Sequence, residues 1–89
     1  MKPESFKFGT AVQVQWVDST GRRGWSHPPT DGPYKPEKIQ SNGFVVAADD
    51  DALTISSSVN ESNCVVAPLA IPWGCITGVE VMPEHFHLK

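Results

Sequence analysis

Long apolar runs, helical periodicity, clustered metal ligands and basic charge in the second half are all scarce in this 89-residue chain. Each scarcity excludes something. No apolar stretch approaches the roughly 20 residues that a membrane-spanning helix requires. Met1-Lys2 leads into Pro3-Glu4 and then alternation rather than an apolar core, which predicts no secretory signal peptide. Cysteine is limited to Cys64 and Cys75, with no C-x-x-C and no paired histidines beside them. That pattern suits a reduced, cytosolic chain whose thiols behave as small hydrophobes. A disulfide between them is left open by the spacing and demanded by nothing. Basic charge is also short. Residues 1–38 balance at +2, residues 39–89 at −5, and the net charge is −3 with a pI near 5.4. Coating of DNA or RNA needs a broad cationic surface, so general nucleic-acid binding is not expected.

What remains is the composition of one small β domain. The chain has 39% hydrophobic residues, too many for an intrinsically disordered segment. Ten Val, four Ile and five Thr stand against three Leu and two Met, which favours strands. One domain is expected over 1–89, with a core at about 8–82 and a loose tail at 83–89.

Strand and turn signals follow in order. Thr10–Val17 alternates with period two: Val12, Val14 and Trp16 share one face, Gln13 and Gln15 the other. Asp18-Ser19-Thr20-Gly21 ends it with turn formers, Asp18 and Ser19 anchoring the loop by binding backbone N–H groups. A second strand is expected over Ile39–Ala48, apolar on both sides, with a bulge or sharp bend at Gly43. Asp49-Asp50-Asp51 turns it back into Ala52–Val59, where Leu53, Ile55 and Val59 face inward and Thr54, Ser56 and Ser58 outward. A fourth strand, Cys64–Ile71, is interrupted by Pro68. Pro72-Trp73-Gly74-Cys75 reads as a single 3₁₀ turn, and Ile76–Met82 as the fifth strand, with Val79 and Val81 on one face. The layout predicts an all-β, five-stranded SH3-like or Sm-like small barrel, with a long ordered loop between strands 1 and 2. An open β-sandwich or an OB-type barrel is the runner-up, the latter lacking the helix it would want.

The long loop, 18–38, holds four of the eight prolines and is unusually long for a compact domain. Its Arg22, Arg23, Trp25, His27, Tyr34 and Lys35 combine planar cations with aromatic faces. Such a set could hold a nucleotide or another small anion; the plainer reading is aromatics that pack the loop on the barrel. Trp16 reads as core. Trp73, with Phe44 and Val45, is the candidate interface with a neighbouring subunit. Asp18, Ser19 and His27 lack the framing of a nucleophilic site, and no catalytic residue is assigned. The aspartates at 49–51 lack the glycine and late glutamate of a calcium loop. His85 and His87 alone do not make a zinc site, and Asn60-Glu61-Ser62 is set aside as a glycosylation signal. No cofactor or metal is expected.

Four short patterns together resemble a group of small proteins encoded by tailed bacteriophages. They are Trp16-x-Asp18-Ser19, Gly24-Trp25, Ser41-x-Gly43-Phe44-x-Val46 and Ile71-Pro72-x-x-x-Ile76, spread over about residues 12–81. The proline-rich segment 28–36 and the His-containing tail depart from that pattern. The resemblance implies a phage-encoded protein in the cytoplasm of a bacterial host, and it brings no catalytic residue with it. The expected function is a non-enzymatic accessory protein, homo-oligomeric, that blocks a host factor by protein contact in host takeover or anti-defence. The alternatives are sequestration of a nucleotide-type immune signal by the first loop, and a minor component of the virion.

Overall fold

The alternating segment at 10–17 becomes the strand to which two neighbouring strands and the segment 82–88 all attach. The computed structural model describes residues 6–18 and 36–88. Five strands form one antiparallel sheet: β1 (Ala11–Asp18), β2 (Glu37–Ala48), β3 (Ala52–Ser56), β4 (Leu69–Pro72) and β5 (Ile76–Val81). Their order is β4-β3-β2-β1-β5, so a four-strand meander is extended by β5 returning to the free side of β1. The only helical pieces among the described residues are 3₁₀ turns at Trp73–Cys75, where the sequence predicts one, and at Glu84–Phe86. No ladder joins β4 to β5 among the described residues; the sheet is open.

Period-two patterning places the core on one face. Val12, Val14, Val45, Leu53, Ile55 and Ile71 are buried together, with Phe6, Trp16, Ala48, Trp73, Cys75, Ile76 and Val79 packed around them. Each such aliphatic side chain contributes about 1.5–3 kcal/mol on burial. Gln13 and Gln15 face the other way, and the Gln15 amide donates to Gln13 Oε1 at 3.0 Å. Trp16 is half-buried; its indole N–H donates to Ser41 Oγ at 3.0 Å, which satisfies the one polar atom of that ring.

β2 departs from simple alternation at Val46, not at Gly43. Val45 pairs with Ile55 and Ala47 with Thr54, which leaves Val46 unpaired as a bulge. One extra residue reverses the in–out phase. Val45 before it and Ala48 after it therefore both face the core. Gly43 stays in regular register opposite Val12. It is needed for another reason: a Cβ there would lie 2.9 Å from the Ser56 carbonyl oxygen, which is backbone and cannot swing away. Val45, an expected interface residue, is 0% exposed and has no surface to offer a partner. Thr77 is passed over in the register of β5 with β1, and its hydroxyl donates to the Gln15 carbonyl at 3.1 Å.

The return from β3 to β4 also differs from expectation. β3 ends at Ser56, which is 2% exposed rather than outward-facing. Its Oγ lies 2.7 Å from the Val66 carbonyl and accepts the Val66 N–H at 3.2 Å. That pair ties down segment 57–68. Within the segment Val59 and Val65 form an isolated bridge, and Asn60 Oδ1 accepts the N–H groups of Ser62 and Cys64. Cys64 is exposed, as is Val66, because β4 begins only after Pro68. Proline removes a ladder donor, so the apolar look of 64–66 does not make a strand there.

Candidate functional site

On the sheet face opposite the core, β1 and β2 lay down an apolar floor. Ala11 and Phe44 are cross-strand partners, as are Gln13 and Asn42 one step along. After β5 the chain folds back across this floor as a strap, residues 82–88. Met82 N–H donates to the Ala11 carbonyl at 2.9 Å, and Pro83, with its fixed φ, opens the 3₁₀ turn that raises Phe86. Phe44, Met82 and Phe86 thus border a groove of about 310 Å³ that Gln13, Asn42 and Ser57 also line. Among its described lining residues none carries an ionisable side chain. It offers apolar contact and neutral hydrogen-bonding groups, and no acid, base or nucleophile beyond a serine hydroxyl. Phe86 is 52% exposed and stacks on His85 at 4.3 Å between ring centres.

The strap is fastened at its far end by backbone and one imidazole. Leu88 N–H donates to the Gly9 carbonyl at 2.9 Å. Ala11 N–H donates to His87 Nδ1 at 2.9 Å, across 76 positions of sequence. Gly9 adopts φ +86°, and a Cβ on it would stand 2.9 Å from Leu88 Cβ, so only glycine admits the strap here. The segment expected as a loose tail is a docked element.

A second hollow, about 440 Å³, lies where β1 ends and β2 begins, between Trp16, Val17, Lys38 and Thr77. It is larger, but a single aromatic ring borders it. The first groove is lined by two phenyl groups and a methionine, which makes it the better receptor for an apolar side chain.

Arg22, Arg23, Trp25, His27, Tyr34, Lys35 and the loop anchor Ser19 lie outside the described residues. Asp18 is the last residue of β1, half-buried and opposite Glu37. Trp73 is half-buried, against Phe6 at 6.0 Å, with its indole N–H on the Asp49 carbonyl at 2.6 Å. It is a pin between the 3₁₀ turn and the β2–β3 turn rather than a free anchor. In that turn the Asp49 carboxylate accepts the N–H groups of Ala52 and Asp51 at 2.9 and 2.8 Å. These two bonds, Ala52 first, hold its pKa below the ordinary carboxylate value. The aspartates thus make a turn, as the plainer reading expects. Among the described residues no three His, Cys, Asp or Glu side chains are grouped to hold a metal. His85 and His87 do not act as a pair: one stacks on Phe86, the other accepts from Ala11. Both cysteines are free thiols. No helix among the described residues is long and apolar enough to cross a membrane.

Sequence reasoning missed Met82, Phe86 and His87. The available signal was the alternation His85-Phe86-His87-Leu88, which is unusual in a tail with nothing to pack on. Comparison with protein families, curated proteins and solved structures finds no match for this chain.

Proposed function

We propose that the chain is a non-enzymatic binding protein that holds a protein partner through the groove between Phe44 and Phe86. The observation that carries this reading is the groove itself: two phenyl rings and a methionine over an apolar floor, with a neutral polar rim and no ionisable side chain in its described lining. Interface centres have this composition, depleted in charge and enriched in aromatics and Met. The acidic second half of the chain suits a partner with a basic rim around an apolar contact.

The resemblance to small phage proteins supplies the proposed setting, an accessory protein acting on a host factor in the bacterial cytoplasm. The strand order, the long first connection and the 3₁₀ turn before β5 support an SH3-like small barrel as the parent architecture. In that reading homo-oligomerisation would use a sheet edge, with Val45 and the pinned Trp73 taking no part.

The test is native mass spectrometry of the tagged protein purified from infected cells, wild type beside Phe44→Ser and Phe86→Ser. The expected result is a protein partner in fixed ratio with wild type and at least about tenfold depleted with either variant, equivalent to about 1.4 kcal/mol of binding. Thermal unfolding checks that both variants fold. A partner retained by both variants, or a nucleotide in fixed ratio and no protein, contradicts the reading.

A further inference from the structure

The sheet has two free edges among the described residues, and they are not equally able to accept another strand. In an antiparallel ladder the N–H and C=O of one residue turn toward the same neighbour, and those of the next residue turn away. One bond per edge therefore fixes which groups are free. Trp73 N–H donates to the Asp51 carbonyl at 3.2 Å, so in β4 Leu69 and Ile71 bond inward to β3. That leaves Ala70 and Pro72 facing out, and Pro72 has no N–H to give. Pro68, just ahead of the strand, has none either. β4 thus offers a single outward donor, and proline blunts it as an edge. Met82 N–H donates to the Ala11 carbonyl at 2.9 Å, so in β5 Gly78 and Glu80 bond inward to β1. Val79 and Val81 then turn both their N–H and C=O groups outward, with no proline between them.

We propose that the free edge of β5 is a docking site for an extended segment of another protein that carries a basic residue between two apolar ones. Main-chain bonds to Val79 and Val81 supply the attachment, and the side chains around them the selectivity. Val79 and Val81 lie opposite the core residues Val14 and Val12, and Val81 remains 52% exposed. Apolar side chains of an added strand on that face would continue the core outward and cover Val81. Glu80 is exposed and, by alternation, on the opposite face. The residue beside it on the added strand is therefore favoured when it is Lys or Arg. The same carboxylate disfavours a second copy. Antiparallel pairing of two β5 edges through Val79 and Val81 would set two Glu80 side chains directly opposite each other. This edge shares no residue with the groove lining, and the proposal does not depend on the groove.

Amide hydrogen exchange with and without a peptide tests this on the intact chain. In the free protein Gly78 and Glu80 should be protected, while Val79 and Val81 exchange as open amides. The probe is the peptide acetyl-Thr-Val-Arg-Val-Thr-amide, beside the same peptide with Glu in place of Arg. At twice its Kd the Arg peptide should slow exchange at Val79 and Val81 by about threefold. The Glu peptide should bind about threefold more weakly, and Glu80→Lys should reverse that preference. Val81→Pro removes one outward donor and leaves the β1 ladder intact. It should weaken the Arg peptide by about fivefold while Gly78 and Glu80 stay protected. Protection of Val79 and Val81 in the free protein overturns the proposal: if it rises with protein concentration the occupant is a second copy, and if it does not the edge is already paired. No slowing by the Arg peptide overturns it too, as does a preference that Glu80→Lys leaves unchanged. Phe44→Ser and Phe86→Ser, which probe the groove, should leave this binding as it is, so the two readings fail separately.

Discussion

Two peripheral segments are fastened to the same sheet by one side chain each, and they differ in chemistry. Segment 57–68 is held by Ser56, whose buried hydroxyl meets both backbone polar groups of Val66. The strap, 82–88, is held by His87, whose ring nitrogen meets the Ala11 N–H. A hydroxyl both donates and accepts, whereas a bare ring nitrogen only accepts. Ser56 is almost inaccessible, and His87 keeps part of its surface in water. The same local device, a side chain bonded to distant backbone, thus fastens one segment through a hydroxyl and the other through a ring nitrogen. The imidazole fastening lies beside the groove, since Ala11 is part of its lining.

The comparison breaks most directly at Ser56. Ser56→Ala leaves the Val66 N–H and carbonyl without their partner, and should lower unfolding free energy by about 2 kcal/mol. Denaturant titration should give the same loss at pH 7.5 and pH 5; a loss confined to one pH would assign it to a titrating group instead of the hydroxyl. A smaller, opposite effect is expected inside the same segment. Ala67 is held at φ +43°, a left-handed conformation that costs a residue with a Cβ. Ala67→Gly should raise stability by about 0.5–1 kcal/mol in the same titration. The smallest effect belongs to Asp49, fully exposed and bonded only within its turn. Its lowered pKa stabilises the fold above the ordinary carboxylate pKa, and that contribution disappears as pH falls through the lower folded value. Asp49→Asn should therefore melt slightly below wild type at pH 7 and together with it at about pH 2. A melting difference that persists in acid would show that charge is not the source.

Local patterns made the sheet readable. The alternation Val12, Val14, Trp16 declares the buried face of β1, Pro72 announces the 3₁₀ turn before β5, and the aspartates at 49–51 mark the β2–β3 turn. Each of these depends on neighbours within a few positions. What could not be read depends on partners far away in sequence. Nothing near Val46 signals a bulge, because the bulge is a mismatch with the length of β3, and it decides that Ala48 rather than Ala47 faces the core. Ser56 looks like one of several outward serines until segment 57–68 folds over it. The groove is least legible, since its floor comes from 11–13 and 42–44 and its wall from 82–86. The loop that draws attention in the sequence, with Arg22, Arg23 and Trp25, lies outside the described residues.

The most direct measurement is the tautomer of His87 at pH 7.5, read from the long-range nitrogen–proton correlations of its ring by NMR. A neutral ring protonated at Nε2, with bare Nδ1 in contact with the Ala11 amide, is the predicted result. A ring protonated at Nδ1, or already doubly protonated at this pH, could not accept that hydrogen bond and would contradict a strap fastened by its neutral imidazole.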